Sequence, residues 1–152
     1  MSTIHHAIEV AVPVRTAYDQ WTQFEGFPTF MEGVERVEQL DDRRLRWTAE
    51  ILGQKRTWDA EITRQEPDTC IAWQSTSGAK NDGIVTFESL SPDRTRIALR
   101  LDVEPDGPIE NLGDKIGAID RRVKGDLERF RDFIEGTRVP TGAWRGTIGA
   151  NR

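Results

Sequence analysis

The chain opens on a stretch in which apolar and polar residues alternate, as they do in a strand with one buried face. The residues of that face are Ile4, His6, Ile8 and Val10. Pro13 ends the alternation, and the apolar period then changes to that of a helix. The apolar positions with helical spacing are Val14, Ala17, Tyr18 and Trp21. Gly26 is expected to end this helix, and the apolar segment 27–31 predicts a second helix of a single turn.

About six further stretches between residues 34 and 103 alternate in the same way, and short turn sequences separate them. Strands spaced this closely along the chain predict an antiparallel meander. Each stretch has a charged face, so only one side of the sheet is expected to be buried. The large residues expected on the buried side are Trp47, Trp58, Trp73, Phe87 and Leu99.

A long amphipathic pattern follows the proline- and glycine-rich residues 105–108. Its apolar positions recur every three or four residues, which predicts one long helix. They are Ile109, Leu112, Ile116, Ile119, Val123, Leu127, Phe130 and Ile134. The positions between them are charged, Asp126 among them, and are expected to face solvent. Gly136 is predicted to cap the helix, which divides the chain into a domain at 1–136 and an extended tail at 137–152.

The sheet and the long helix each have one apolar side, so they are expected to cover each other. The predicted fold class is α+β, with a curved antiparallel sheet wrapped around the carboxy-terminal helix and two short helices after the first strand. Large aromatic rings on a concave sheet either fill a core or line a pocket. The residue pattern by itself leaves both alternatives open.

Composition narrows the classes of function. The 152 residues correspond to one domain of ordinary size, and the net charge of −5 argues against a general nucleic-acid binder. With Cys70 as the only cysteine, no disulfide forms within the chain. We find no signal peptide and no apolar run of the ~20 residues that span a bilayer. We therefore expect a cytoplasmic protein without stable membrane insertion.

The candidates for chemistry are few. His5 and His6 are neighbours on a strand and face opposite sides, so no metal site is predicted. Cys70 has the opposite strand parity to Trp73, so its thiol is expected to point outward or into the strand edge, without a histidine base. Arg56 shares the parity of Trp58, and Tyr18 is the only tyrosine. These two are weak candidates for acid–base catalysis, and a surface or packing role is the simpler interpretation for each.

The order of elements resembles the START-like helix-grip (SRPBCC) superfamily, and within it the polyketide cyclase/dehydrase and coenzyme Q-binding subgroup. The resemblance covers the chain to about residue 136. The segments that carry it are 13–21, 27–31, 34–37, Trp58, 71–73, 83–87 and 126–135. These motifs are short and mostly structural, so their specificity lies in their order along the chain.

The resemblance implies a deep apolar cavity between the sheet and the long helix. Members of this superfamily bind lipids, quinones, plant hormones or polyketide intermediates, and some act as aromatase/cyclases. The residues implied to contact such a ligand are Phe30, Trp47, Trp58, Trp73, Phe87, Leu99, Ile116, Ile119 and Val123. The expected function is binding of a hydrophobic small molecule without a cofactor. The alternative is a polyketide aromatase/cyclase or dehydratase, since a fold does not determine a function.

Overall fold

The computed structural model describes residues 2–51, 53–78, 80–104 and 112–149. The elements, in chain order, are β1 (Ser2–Val10), α1 (Val14–Trp21), a 3-10 helix (Phe24–Thr29), β2 (Val34–Gln39), β3 (Arg44–Ile51), β4 (Gln54–Glu66), β5 (Cys70–Ser75), β6 (Lys80–Ser91), β7 (Arg94–Glu104) and α2 (Leu112–Thr137). The predicted break at 105–108 and the predicted helical position Ile109 lie outside the described residues.

The seven strands form one antiparallel sheet in the order β1-β7-β6-β5-β4-β3-β2. Strands β2 to β7 follow each other as a meander, and β1 returns to pair with β7 over its whole length. A register shift in β4 between Ile62 and Arg64 marks a bulge, which increases the local bend of a strand. The predicted fold class is confirmed: a curved sheet holds a long helix, with two short helices after β1.

The apolar stripe of α2 covers the concave side of the sheet. Val123, Leu127, Phe130 and Ile134 are all buried, as their spacing predicts. Phe130 and Ile134 pack with α1 and the 3-10 helix in the larger core cluster. Val123 packs in a smaller cluster with strand residues of β1 and β7. Among the described residues, no helix is long and apolar enough to cross a membrane.

Polar contacts attach α2 to the β1 edge of the sheet. The His6 Nε2 atom lies 2.9 Å from Asp120 Oδ1. Further along the helix, the Glu135 carboxylate accepts a hydrogen bond from the Ala11 backbone N–H at 2.8 Å. These contacts hold Asp120 and Glu135, two charged residues of α2, against the β1 edge of the sheet.

A second set of contacts attaches α2 to the β2 side of the sheet. Arg129 Nε donates a 2.9 Å hydrogen bond to the carbonyl oxygen of Phe30, at the end of the 3-10 helix. Arg122 donates one of 2.6 Å to the carbonyl oxygen of Glu50, near the end of β3. Hydrogen bonds therefore hold α2 to both edges of the open sheet, and the helix crosses the space between those edges without filling it.

The end of α2 differs from the prediction. The helix continues through Gly136 to Thr137, and Arg138 takes the left-handed conformation with a φ of 57°. The Arg138 N–H donates to the carbonyl oxygen of Ile134 at 2.8 Å, which closes the helix with the bond of an αL cap. The prediction that Gly136 caps α2 was wrong. It placed the end of the helix by residue type and did not use the length of the buried apolar stripe.

The carboxy-terminal segment (residues 138–149) packs back across α1. Gln20 forms two hydrogen bonds with Thr141, from its amide nitrogen at 3.1 Å and to its carbonyl oxygen at 2.8 Å. Arg145 pairs with Asp19 of α1 and, at 2.9 Å, with Asp68 of the β4–β5 turn. The segment thus joins the first helix to the far end of the sheet.

The segment ends in a short backbone pairing with β4. Ile148 and Gln65 exchange two hydrogen bonds of 2.9 and 2.8 Å, and Ile148 is 3 % exposed. Gly149 follows with a φ of 67°, and a Cβ at this position would lie 2.2 Å from the Thr63 carbonyl oxygen. Only glycine fits this close approach. The segment is therefore held against the fold, and its residue Ile148 is part of the packed core.

Candidate functional site

A cavity of about 470 Å³ lies between the concave side of the sheet and α2. Its wall is mostly apolar and takes residues from six strands, α2 and the two short helices. The apolar wall consists of Trp21, Phe24, Phe27, Met31, Val34, Leu45, Trp47, Ala49, Trp58, Ile62, Ile71, Trp73, Leu99, Leu101, Val103, Ile119, Val123 and Leu127. The large rings therefore partly enclose an open space, and the alternative of a completely filled core is excluded.

Three tryptophans form the aromatic part of the sheet wall. Trp47 and Trp58 are cross-strand partners in β3 and β4, and their rings stack at 5.8 Å with only 6° between the planes. Trp73 of β5 lies over Gly83 of β6, where a Cβ would come within 2.6 Å of the indole ring. Its indole N–H points to the Asn81 side-chain oxygen at 3.4 Å. Flat, rigid faces of this kind suit a ligand with a conjugated or cyclic apolar body.

The polar part of the wall comes mainly from the ends of elements. Gln54 and Arg56 begin β4, Lys80 and Asn81 begin β6, Glu104 ends β7 and Lys115 is near the start of α2. This end of the sheet is therefore the mouth of the cavity. Arg56 donates a hydrogen bond to the Gln54 side chain and is exposed, so its guanidinium reaches the mouth rather than the floor.

Asp82 holds the strand ends beside the mouth. It accepts hydrogen bonds from the Ser75 N–H at 3.0 Å and from Lys80 at 3.0 Å. Burial opposes ionisation of this carboxyl, but the Ser75 N–H and the Lys80 charge outweigh it and keep the pKa of Asp82 below its ordinary value. Asp82 thus ties β5 to β6 at the rim, and Asn81 is left to contact Trp73.

Asp126 is the residue of the wall that differs most from expectation. Its side chain is 16 % exposed and lines the cavity, whereas its charge placed it on the solvent face of α2. Its Oδ1 atom accepts hydrogen bonds from Arg129 at 2.6 Å and from the Glu32 backbone N–H at 3.0 Å. Burial raises the pKa of Asp126, and the Arg129 and Glu32 contacts and the Arg122 charge only partly offset that effect.

The end of the cavity away from the mouth is closed by aromatic packing. Trp21, Phe24 and Phe27 form edge-to-face contacts with one another and with the core. Tyr18 lies outside the cavity wall, where its ring contacts Phe87 at 5.3 Å and the guanidinium of Arg145 at 5.6 Å. Burial of the hydroxyl raises the pKa of Tyr18. This position suits packing between α1 and the sheet.

The structure places the predicted ligand-contacting residues in two groups. Those in the cavity wall are Trp47, Trp58, Trp73, Leu99, Ile119 and Val123. The other three pack elsewhere: Phe30 against Phe130, Phe87 against Trp21, and Ile116 against the smaller core cluster. Contact of either group with a ligand stays a prediction.

Sequence reasoning missed several residues of the wall. Trp21, Phe24 and Phe27 carried no signal beyond hydrophobicity, because their place depends on how the two short helices pack under α2. Asp126 did carry a signal. It lies three residues after Val123 and four before Phe130, which are the intervals of the buried stripe itself.

The other candidates for chemistry are located as follows. His5 is exposed and His6 contacts α2, so the two rings lie on opposite sides of β1. Cys70 is 3 % exposed, so its thiol does not reach solvent, and burial raises its pKa. In the part of the chain that the structure describes, no three His, Cys, Asp or Glu side chains are close enough to hold a metal ion together.

Comparison with known proteins finds several that are similar to this chain in sequence or in fold. An uncharacterised 17.2 kDa protein of Streptomyces lincolnensis is 50 % identical over 149 residues, which are 97 % of this chain and 99 % of the relative. A solved structure from Deinococcus radiodurans, DR_A0006, is 29 % identical, with a TM-score of 0.72 over 90 % of this chain and 99 % of the other. The aromatase/cyclase Zhui of Streptomyces sp. R1128 shares the fold at 18 % identity, with a TM-score of 0.77 over 94 % and 99 % of the two chains.

The family described as polyketide cyclase/dehydrase and lipid transport matches residues 10–131. The matched region contains α1, the whole of strands β2 to β7, and α2 as far as Arg131, and therefore most of the cavity wall. The resemblance inferred from the order of elements is confirmed. The chain belongs to the polyketide cyclase/dehydrase and lipid transport family.

Proposed function

We propose that the protein binds a hydrophobic small molecule in the cavity between the sheet and α2. The observation that carries this proposal is an aromatic-lined space of about 470 Å³ with a polar mouth. Pockets for small ligands commonly measure about 300–1,000 Å³ and combine an apolar wall with a few polar groups. An apolar ligand of one to three rings suits these dimensions and the stacked pair Trp47–Trp58.

A fluorescent probe tests the proposal. N-phenyl-1-naphthylamine emits weakly in water and strongly in an apolar site, so titration with the protein should give a saturable rise in emission. Val123→Trp places a large side chain into the cavity from α2 and should weaken binding at least about tenfold, the equivalent of about 1.4 kcal/mol. Lys124→Trp is the matched control, because Lys124 is exposed on the same helix.

The two tryptophan variants separate the cavity from the rest of the surface. Binding that is lost in Val123→Trp and kept in Lys124→Trp supports the cavity as the site. Equal binding by both variants would locate the probe elsewhere, and a wild-type protein that gives no saturable signal would contradict the proposal.

A second candidate is a polyketide aromatase/cyclase. The family description and the fold shared with Zhui support it. Arg56 would act at the mouth of the cavity, where it could contact a carbonyl oxygen of a chain entering from solvent. With a poly-β-ketone substrate, Arg56→Ala should change the distribution of cyclised products. Tyr18→Phe should not, since that hydroxyl lies outside the cavity wall. Product ratios unaffected by both changes would remove this candidate.

The setting of the protein also stays a proposal. A cytoplasmic location is supported by the single cysteine, and a lack of nucleic-acid partners by the net charge of −5. We also propose that the domain does not end at residue 136 but includes the carboxy-terminal segment, because that segment packs against α1 and β4. Fractionation of the native host with an antibody against the chain would test the location.

A further inference from the structure

Asp126 is a carboxyl group in a cavity wall that is mostly apolar and also contains Glu32 and Arg122. It is close to Leu127 and Val123 on α2, and the apolar residues Met31 and Val34 line the wall on either side of its contact with Glu32. The charged groups that face it are Arg129 and Arg122 from α2 itself. A carboxyl group is rarely kept in such a place unless its partners compensate for the lost water.

The two oxygens of this carboxyl group differ in what they have left to accept. Oδ1 already receives two donors, the Arg129 guanidinium and the Glu32 N–H. A carboxylate oxygen has two lone pairs, so Oδ1 is fully used. Within the described residues no hydrogen bond is made to Oδ2. Oδ2 is therefore the acceptor that remains for a group inside the cavity.

We infer that Asp126 determines specificity in the cavity by accepting a hydrogen bond at Oδ2 from a hydroxyl group of the bound molecule. The ligand class is then a hydrophobic, ring-containing alcohol or phenol rather than a pure hydrocarbon or a ketone. The inference rests on the proposed binding function and adds the chemistry of one end of the ligand. Arg129 and the Glu32 N–H act as positioning groups, since they hold Oδ1 and so orient Oδ2.

An Asp126→Asn variant gives a sharp test because the donors at Oδ1 orient the new amide. The Asn carbonyl oxygen takes the place of Oδ1, where Arg129 and Glu32 donate, and the amide nitrogen takes the place of Oδ2. The group facing the cavity changes from an acceptor to a donor with almost no change in shape. Preference for ligands should change in the same sense.

Three probes of similar size measure that preference by isothermal titration calorimetry at pH 8. They are 2-naphthol, which donates a hydrogen bond, 2-acetonaphthone, which only accepts, and naphthalene, which does neither. The wild-type protein should bind 2-naphthol more tightly than 2-acetonaphthone, and Asp126→Asn should reverse that order. The ratio of the two dissociation constants should change by at least about tenfold, as expected when a hydrogen bond to a charged group is exchanged. Affinity for naphthalene should change little.

Asp132→Asn is the matched control, because it removes the same charge from an exposed position of the same helix. It should leave all three affinities as they are. A ratio that is unchanged in Asp126→Asn would overturn the inference while the proposed function stands. A wild-type protein that binds none of the three probes would overturn the proposed function as well.

A measurement on the unaltered protein covers the case of a variant that does not fold. The carboxyl ¹³C resonance of Asp126 should shift on addition of 2-naphthol and should stay in place on addition of naphthalene at equal occupancy. Equal shifts with the two probes, or none with either while both bind, would show that no hydrogen bond forms at this carboxyl and would overturn the inference.

Discussion

At the scale of single residues, position along α2 carried information that residue type obscured. Asp126 has the spacing of the buried stripe, but aspartate is seldom buried without partners and was therefore expected in solvent. Its partners are Arg129, one turn along the helix, and the Glu32 N–H, which is distant in sequence. The first of these is visible as an i,i+3 pair in the sequence, and the second exists only once the chain has folded.

The end of α2 offers a test with two substitutions. Arg138→Gly should raise the free energy of unfolding by about 0.5–1 kcal/mol, because glycine adopts a positive φ without the Cβ penalty. Gly136→Ala should raise it by a similar amount, because Gly136 lies inside the helix and a Cβ there meets no atom within 4 Å. Urea denaturation measures both. Destabilisation by Gly136→Ala would restore Gly136 as the cap.

The buried thiol of Cys70 predicts that the free energy of unfolding falls at alkaline pH. Burial raises the pKa of its thiol in the folded state, so the unfolded chain loses this proton first. The contribution is fully present below the unfolded pKa of about 8.5 and is lost as the pH rises through that value towards the folded pKa, by at most about 1.4 kcal/mol per pH unit. Between pH 7 and 9.5, Cys70→Ala should therefore show a flatter decline in the free energy of unfolding than the wild-type protein. Parallel curves would contradict the prediction.

At the scale of elements, the strands were predictable and the contacts between distant elements were not. Alternation located all seven strands, because a strand with one buried face repeats every two residues. The carboxy-terminal segment has no such period. Its place is decided by separate contacts, such as Thr141 with Gln20 and Ile148 with Gln65, between residues that are far apart in the chain. The glycine- and proline-rich composition therefore suggested an extended tail, whereas in the structure the carboxy-terminal segment packs across α1.

The packing of the carboxy-terminal segment can be tested at Ile148, its buried residue. Ile148→Ala should lower the free energy of unfolding by about 2–4 kcal/mol, because it removes a side chain that is 3 % exposed and packs in the larger core cluster. Val139→Ala, in the same segment but 68 % exposed, should change stability by no more than about 0.5 kcal/mol. Equal effects in thermal unfolding would show that the segment is not packed as described.

At the scale of the whole molecule, α2 is fastened to both edges of an open sheet and the cavity lies between. Hydrogen bonds from His6 and Ala11 hold one side, and those to Phe30 and Glu50 hold the other. The polar contacts at the edges therefore carry part of the attachment that a filled core would otherwise provide. The open space between them is where added apolar contacts would be most stabilising.

A ligand that fills this space should stabilise the whole fold. At a free concentration of N-phenyl-1-naphthylamine one hundred times its dissociation constant, the free energy of unfolding should rise by about 2.7 kcal/mol through mass action. The midpoint of thermal unfolding should rise with probe concentration in the wild-type protein and in Lys124→Trp. It should rise less in Val123→Trp, whose side chain already occupies part of the cavity: a tenfold weaker affinity limits the gain in the free energy of unfolding to about 1.4 kcal/mol at the same free concentration. A constant midpoint in all three proteins would count against binding in the folded state.

The sequence by itself determined the strands, the long helix and the side of each that is buried, because those properties depend on the local period of apolar residues. It also determined that sheet and helix cover each other, since each has one apolar side. Only the tertiary structure decided that Trp47, Trp58 and Trp73 border an open cavity while Phe87 fills the core. Only the tertiary structure also decided that the Glu32 N–H holds Asp126 in the wall. These outcomes depend on the curvature of the sheet or on a partner distant in the chain, and the spacing of nearby residues encodes neither of those.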